Sequence, residues 1–209
     1  MSKNLLPIAK EGFSYLLYTF FAFIVFEILD LDILSFLSVV LFVYLVYMFR
    51  NPEREMINYE KGSVVSVADG NVLNIVELED SKHFAYRVDI ETTCRDISFL
   101  RAPFNATCKD VEVLRGTRVS KNSKLFGSLN ENGTIIFEDE NGNKVKVKHT
   151  LTNSFDELHV DVVKTVLQGQ RYGFMLKGVT SIYLPSNFRL NVSVGSQTIS
   201  SKTLIGYFL

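Results

Sequence analysis

Side chains that commonly carry out catalysis or bind metals are few in this sequence, and they lie far apart. The three histidines, His83, His149 and His159, share no spacing typical of a metal site. The two cysteines, Cys94 and Cys108, form no CxxC pair. They could form one disulfide, but two small apolar core residues are the simpler interpretation. A metal centre is therefore not predicted.

One stretch near the C-terminus, KGVTSIYLP at residues 177–185, carries two adjacent hydroxyl side chains, Thr180 and Ser181. A hydroxyl becomes a nucleophile when a base removes its proton and a third group orients that base. The stretch contains no carboxylate and no imidazole. Any activating partner therefore has to come from other elements of the fold.

Composition limits the class of protein. The chain has 209 residues and a formal net charge of −1, so it lacks the positive field that favours nucleic acid, and we predict no nucleic-acid partner. Hydrophobic residues make up 47% of the chain and are concentrated near the N-terminus. This length and distribution suggest one soluble domain preceded by an anchor.

Two apolar runs, residues 13–29 and 33–49, dominate the N-terminal region. Each run has about 17 residues, at the short end of what crosses a hydrocarbon core of about 30 Å. The link between them, Asp30-Leu31-Asp32, is short and acidic. Residues 1–50 are therefore predicted to form a two-helix membrane anchor, a hairpin with both ends on the same side.

Basic residues on both flanks predict the orientation of this hairpin. Lys3 and Lys10 precede it, and Arg50 and Arg54 follow it. Basic flanks stay in the cytoplasm, so we expect an inner (cytoplasmic) membrane protein whose remaining domain faces the cytoplasm. A signal peptide would have a single run and a small-residue cleavage site. A hairpin that enters the bilayer without crossing it remains an alternative, because the runs are short and Glu27 is costly at depth.

Residues 51–209 show a different pattern, which predicts a mainly β domain that is sandwich-like or barrel-like. Short segments rich in β-branched residues, several alternating with period two, predict strands at 63–67, 72–76, 86–90, 111–114, 134–137, 144–148 and 158–162. Asn-Gly pairs at 132–133 and 141–142 are typical of hairpin turns. Residues 190–197 and 198–206 predict a closing hairpin, and helices should be few and short.

Six short motifs follow one another in a fixed order. They are FRNPER (49–54), VADG (67–70), DISFLRAP (96–103), GQRYGFM (169–175), IYLP (182–185) and a terminal segment around Val194-Gly195. Each motif is weak alone. In this order, and over essentially the whole chain from the anchor onward, they resemble the short bacterial and archaeal type of phosphatidylserine decarboxylase proenzyme.

The resemblance implies a membrane-attached enzyme of phospholipid metabolism that cleaves its own chain. In that family a serine attacks the carbonyl of the preceding glycine, and elimination converts the serine into an N-terminal pyruvoyl group. This cofactor forms a Schiff base with phosphatidylserine and accepts the electrons left when CO₂ departs. Self-cleavage is attributed to a Ser-His-Asp arrangement.

Two of the three catalytic positions implied by the resemblance are lost here. The aspartate matches Asp69, but the histidine falls on Ser98, which cannot take up a proton near pH 7. The pyruvoyl-forming serine falls on Gly178 when counted back from Tyr183, or on Val179 if one residue is deleted, and neither residue can form an ester. We therefore expect no pyruvoyl group, and Asp69 is more simply interpreted as a turn residue.

Thr180 and Ser181 are the fallback nucleophiles. Thr180 could perform an acyl shift, but elimination would leave a 2-oxobutyryl group in place of pyruvoyl. Ser181 lies three positions closer to Pro185 than the family serine does. An odd shift along a strand places a side chain on the opposite face, so a functional Ser181 would require a rearranged loop.

Three arginines are candidates for binding phospholipid headgroups. Arg50 and Arg54 flank the hairpin, where they suit anionic headgroups, and topogenic charge is the simpler alternative for both. Arg101 could bind a lipid phosphate or pair with a buried carboxylate such as Asp96.

The sequence thus predicts a membrane-anchored, phosphatidylserine decarboxylase-like protein that does not mature. It would bind phospholipid, an active family member or a second copy of itself. One alternative is a working decarboxylase that makes phosphatidylethanolamine and uses Thr180 or Ser181. The other is a membrane-tethered β adaptor without lipid chemistry.

Overall fold

The computed structural model describes residues 7–55, 57, 59–60, 62–78, 83–161 and 163–209. The chain divides into two compact units, Met1–Glu53 and Arg54–Leu209. The first unit is helical, and the second consists mainly of β-strands. Lys3, one of the flanking basic residues, lies outside the described part of the chain.

The helical unit is a hairpin of two apolar helices. After a 3-10 turn at Lys10–Gly12, α1 spans Phe13–Ile28 and α2 spans Asp32–Met48. Asp30 in the link has a φ of 51°, in the left-handed region where aspartate is tolerated better than most residues. This conformation lets the short link reverse the chain.

Small polar side chains are buried where the two helices meet. Thr19, Ser35 and Ser38 are all buried. The hydroxyls of Thr19 and Ser38 donate to the carbonyls of Tyr15 and Leu34, one turn earlier in their own helices. Small residues allow close approach of two helices, and these back-bonds satisfy their hydroxyls without water.

Large apolar side chains cover the outside of this hairpin. Those that are about half exposed or more include Leu17, Tyr18, Phe20, Phe21, Val25, Ile33, Phe36, Leu37, Val40 and Val43. Within the described residues one helix, Lys10–Ile28, is long and apolar enough to cross a membrane, and α2 is a shorter apolar helix.

The β unit is built from short strands. Its strands are β1 (Ser63–Val65), β2 (Gly70–Glu77), β3 (Tyr86–Thr92), β4 (Phe99–Arg101), β5 (Ala106–Leu114), β6 (Asn132–Glu138), β7 (Lys144–Leu151), β8 (His159–Val160), β9 (Thr165–Val166), β10 (Arg171–Phe174), β11 (Gly178–Leu184), β12 (Phe188–Leu190), β13 (Gln197–Thr198) and β14 (Leu204–Phe208). One short helix, α3, spans Phe126–Leu129. The predicted mainly β fold with N-terminal helices is confirmed.

The largest sheet has the strand order β13-β2-β3-β11-β7-β6-β5-β9, and its pairs are antiparallel. Two smaller sheets have the orders β1-β14-β12 and β4-β10-β8. The strand that carries the KGVTSIYLP residues, β11, lies inside the largest sheet, between β3 and β7. Both of its edges are therefore hydrogen-bonded.

Alternation along the strands decides which side chains form the core. On β7, Val145 and Val147 are fully buried while Lys144 is exposed. On β11, Ile182 and Leu184 are fully buried. These residues belong to one hydrophobic core in the β unit, as a half-buried antiparallel sheet requires.

Three predicted elements differ from the structure. The Asn-Gly pair at 132–133, predicted as a hairpin turn, lies within β6. Residues 190–206 do not form the predicted closing hairpin, because β12 and β14 pair with each other and the segment between them contributes β13 to a different sheet. The predicted strand at 158–162 is reduced to His159–Val160, and its residue 162 lies outside the described part. Turn residues Val194 and Gly195 interrupt the segment 190–197, which was predicted as a strand.

Candidate functional site

Gly178 opens β11, where its backbone is held from both sides. It lies opposite Thr92 on β3 and Leu151 on β7. A Cβ atom at this position would lie 2.5 Å from the carbonyl oxygen of Thr150 and 2.7 Å from the sulfur of Met175. The sulfur can move, but the carbonyl belongs to the sheet. The site is therefore built for a residue without a side chain.

Ser98 is bonded to Met175, the same methionine whose sulfur lies against Gly178. The backbone N–H of Met175 donates to the Ser98 carbonyl at 2.8 Å. Ser98 is buried, and its Oγ has no hydrogen-bond partner among the described residues. The fold thus brings together the two positions that the sequence singled out as lost, and it supplies no proton acceptor at Ser98.

Asp69 reaches the same end of the sheet. Its carbonyl oxygen accepts a hydrogen bond from Thr92 Oγ1 at 2.7 Å, and Thr92 is the strand partner of Gly178. The three positions Asp69, Ser98 and Gly178 therefore converge, although the residues that occupy two of them cannot do the expected chemistry.

The Asp69 carboxylate is bound by an arginine and does not face solvent as a turn residue would. Arg54 donates to both of its oxygens, at 2.6 and 2.5 Å, and the two side chains are only 8% and 10% exposed. The backbone N–H of Ser200 adds a third bond at 2.9 Å. This bidentate arrangement occupies the carboxylate and orients it towards Arg54.

The three arginines expected at headgroups lie in different environments. Arg54 is buried in the ion pair with Asp69. Arg101 is also buried, and it donates to the carbonyl of Gly169 at 3.1 Å. Asp96, proposed as its partner, accepts bonds from Thr93.

Arg50 is the partly exposed member of the three. Its guanidinium lies 4.1 Å from the ring centroid of Tyr47 and donates to the Tyr47 carbonyl. A cation stacked on a tyrosine is a common pairing where apolar and polar surroundings meet.

A buried histidine that sequence reasoning missed contacts Thr180. The register of β7 and β11 places His149 opposite Thr180. Its Nδ1 lies 2.9 Å from Thr180 Oγ1, and its Nε2 lies 2.8 Å from the hydroxyl oxygen of Tyr172. All three side chains are buried. The alternation of Val145 and Val147 was the signal that could have placed His149 on the inward face.

The electrostatics of this cluster follow from burial. Removal from water lowers the pKa of His149 to about 3 and raises the pKa of Tyr172 well above its ordinary value. His149 is therefore neutral at pH 7. With the proton on Nε2, its Nδ1 accepts from the Thr180 hydroxyl; with the proton on Nδ1, it donates to that hydroxyl.

Ser181 points to the other face of β11, with different partners. Its hydroxyl donates to Asp89 at 2.6 Å, and Asp89 forms an ion pair with Arg87 at 3.1 Å. Thr180 and Ser181 therefore cannot act on the same substrate atom.

The residues at this site do not fit a pyruvoyl group. Gly178 and Val179 have no hydroxyl from which such a group could form, and Gly178 has no space for a side chain. Among the described residues no group of three histidine, cysteine, aspartate or glutamate side chains could hold a metal ion. Both cysteines are free thiols.

Comparison with known proteins gives a consistent result. The family described as phosphatidylserine decarboxylase matches residues 41–206. The chain is 25% identical to the phosphatidylserine decarboxylase proenzyme of Desulfotalea psychrophila over 217 residues, covering 100% of both chains. It is 23% identical to that of Ralstonia nicotianae, covering 95% of this chain and 94% of the relative. It is 28% identical to that of Wolbachia pipientis wMel over 75% of this chain and 72% of the relative.

Proposed function

The chain belongs to the phosphatidylserine decarboxylase family, and we propose that it is a member that remains uncleaved and carries no pyruvoyl group. The observation that carries this proposal is Gly178. A Cβ atom there would lie 2.5 Å from a backbone carbonyl of the neighbouring strand. The position therefore lacks the hydroxyl that self-cleavage requires, and it also lacks the space for one.

The other two positions support the same conclusion. The side chain of Ser98 has no basic group that could accept the proton of a nucleophile. The Asp69 carboxylate is bound bidentately by Arg54 and by the N–H of Ser200. A base and the residue that orients it must contact each other to act as a unit, and no base contacts Asp69 among the described residues.

We further propose that the helical unit anchors the chain in a membrane. The large apolar side chains on the outside of α1 and α2 support this, since water-facing helices of a soluble protein carry polar residues there. Glu27 accepts a hydrogen bond from Ser35 of the other helix, which reduces the cost of a carboxylate near the apolar region. Basic flanks at Lys10 and Arg50 support an orientation with both ends of the hairpin in the cytoplasm.

An uncleaved, membrane-anchored member of this family would act in phospholipid metabolism by binding. Its ligand would be phospholipid at the membrane surface, and its protein partners would be an active family member or a second copy. Arg50, stacked on Tyr47 at the end of α2, is the arginine placed to meet a headgroup.

The proposal is tested by the intact mass of the purified chain. We expect one species at the full-length mass of 23.8 kDa. The Gly178→Ser variant should give the same result, because its side chain meets the Thr150 carbonyl. A C-terminal fragment with a ketone at its N-terminus, from the unmodified chain, would overturn the proposal.

A second candidate is cleavage at Thr180, which the contact with His149 favours. Thr180 Oγ1 would attack the Val179 carbonyl carbon, its proton passing to His149 Nδ1, and the Thr180 nitrogen would leave as a free amine once it took up a proton. Water would then hydrolyse the ester. Burial opposes this route, because a histidine with a pKa of about 3 is a weak base.

The same mass measurement separates the two candidates. Cleavage at Thr180 predicts a fragment that starts at residue 180 and disappears in both Thr180→Val and His149→Gln. The first proposal predicts a single species for each of the three chains, at that chain's own full-length mass.

A further inference from the structure

The connection between β5 and β6, residues 115–130, combines basic and exposed apolar side chains; we name it the basic loop. It contains Arg115, Arg118, Lys121 and Lys124 and no acidic residue. Its helix α3 follows Leu125, which is 52% exposed, and ends at Leu129, which is 49% exposed. Residues four apart on a helical turn lie on one face, so the two leucines form a single apolar tip.

The ends of the basic loop are held together by a buried asparagine. Asn130 Nδ2 donates to the carbonyls of Val119 and Leu151 at 2.8 and 2.6 Å. Its Oδ1 accepts from the N–H of Val119 and from Thr117 Oγ1, both at 3.2 Å. The side chain of Asn130 thus satisfies its full hydrogen-bonding capacity, and the loop is ordered before anything binds to it.

A buried carboxylate fixes the two arginines at the base of the loop. Glu131 is almost fully buried and accepts bonds from Arg115, from Arg118 and from the N–H of Leu158. Glu157 also contacts both arginines. This arrangement neutralises the base of the loop, so the charge next to the leucines is that of Lys124, which directly precedes Leu125.

The basic loop borders the candidate site. Lys121 pairs with Glu91 at 2.6 Å, and Glu91 is the strand partner of Val179. Thr152 Oγ1 donates to the Val119 carbonyl at 3.2 Å, and the Thr152 N–H donates to the carbonyl of Lys177. Residues 119–121 of the basic loop therefore lie beside the residues at the start of β11.

We propose that the basic loop inserts Leu125 and Leu129 into the interfacial region of a bilayer that contains anionic phospholipids. Exposed apolar side chains beside lysines, without acidic residues, are the combination that binds such surfaces. The charge of the exposed Lys124, beside Leu125, complements an anionic lipid surface. The proposal does not depend on whether the chain cleaves itself, but it rests on the membrane attachment proposed above.

The test uses fluorescence from one introduced tryptophan, because the sequence contains none. The full-length Leu125→Trp variant is reconstituted into vesicles of phosphatidylglycerol and phosphatidylcholine whose acyl chains are brominated near the headgroup. The matched control is Val194→Trp, since Val194 is 60% exposed in an uncharged turn. Flotation of the vesicles shows separately whether the protein is attached.

We expect the bromolipids to quench the tryptophan at 125 several-fold more strongly than the one at 194. Replacing Lys124 with glutamate in the same variant, or omitting phosphatidylglycerol, should weaken that quenching. If Leu125→Trp does not fold, Leu129→Trp carries the same test. Equal quenching at 125 and 194 in protein that floats with the vesicles overturns the proposal. So does blue-shifted but unquenched emission at 125, which would indicate a protein partner on the tip.

Discussion

His149 and Thr180 face each other across β7 and β11, with 2.9 Å between Nδ1 and Oγ1, and both side chains are buried. With Tyr172 on the other ring nitrogen, the imidazole has both of its nitrogens bonded inside the hydrophobic core. A neutral histidine with both ring nitrogens hydrogen-bonded stabilises the fold at neutral pH. It also makes the stability of the fold sensitive to acid.

The first prediction concerns that sensitivity. An unfolded histidine has a pKa of about 6.5, whereas burial lowers that of His149 to about 3. Between these values the unfolded chain binds a proton that the folded chain does not. The stabilisation that depends on neutral His149 is therefore fully present above about pH 6.5. It is lost as the pH falls towards 3, and at pH 5 the loss is about 2 kcal/mol.

The His149→Gln variant tests this directly, because glutamine bonds to both hydroxyls and does not titrate. We expect it to be less stable at pH 7, by about 1–2 kcal/mol, and to lose less stability between pH 7 and pH 5. Denaturant unfolding at both pH values provides the measurement. If the variant and the unmodified chain lost the same free energy of unfolding between pH 7 and pH 5, His149 would not control the acid response.

The second prediction concerns the space at Gly178. Gly178→Ala should destabilise the β unit by about 1–3 kcal/mol, because the new methyl group meets the Thr150 carbonyl. Gly127→Ala is the matched control, since a Cβ there meets nothing within 4 Å. In helix α3 it should be neutral or stabilising by up to about 1 kcal/mol. Equal midpoints for the two variants in urea would contradict a steric restriction at Gly178.

The third prediction concerns the ion pair of Arg54 and Asp69. Because both side chains are buried, removing one partner leaves an uncompensated charge, and Arg54→Met or Asp69→Asn should each cost about 3–5 kcal/mol. The double variant should cost much less than the two single costs added together. Additive costs in urea unfolding would show that the two side chains act independently.

The partly exposed pair of Lys109 and Glu138 provides the control for that experiment. Lys109 is about half exposed and lies 2.6 Å from Glu138. Lys109→Ala should change stability by less than about 1 kcal/mol.

The fourth prediction concerns two buried serines. Ser98 Oγ has no partner among the described residues, so Ser98→Ala should be neutral or stabilising by about 1 kcal/mol. Ser66 is equally buried, but its hydroxyl donates to the Ala68 carbonyl at 2.7 Å, and Ser66→Ala should be destabilising by a similar amount. If the two variants changed the unfolding midpoint in the same direction, Ser98 would have a partner after all.

Local sequence patterns predicted the helices and strands of this protein better than they predicted the contacts between them. The alternation at 144–148 and the Asn-Gly pair at 141–142 correctly predicted β7 and the turn that precedes it, whereas the pair at 132–133 lies within β6 and forms no turn. The apolar runs predicted two helices within one or two residues of their ends. These features depend on neighbouring residues, which is why the sequence alone is sufficient.

Features that depend on distant pairings could not be predicted. The contact of His149 with Thr180 requires the register of two strands 31 residues apart. The sequence alone predicts Arg54 to be a surface charge, whereas the fold places Asp69 and Ser200 around it. Residues 190–206 alternate like a hairpin, but their strands join two different sheets. In each case tertiary packing decides between options that the local sequence leaves equivalent.

The position of β11 has a practical consequence for detecting a cut chain. The segment from Gly178 onward provides β11, whose neighbours β3 and β7 both precede it in the chain, and it also pairs β13 with β2 and β14 with β1. Two pieces separated at Gly178 would stay associated through the backbone hydrogen bonds of these strand pairs. They would migrate together through a sizing column, so only separation under denaturing conditions distinguishes an intact chain from a nicked one.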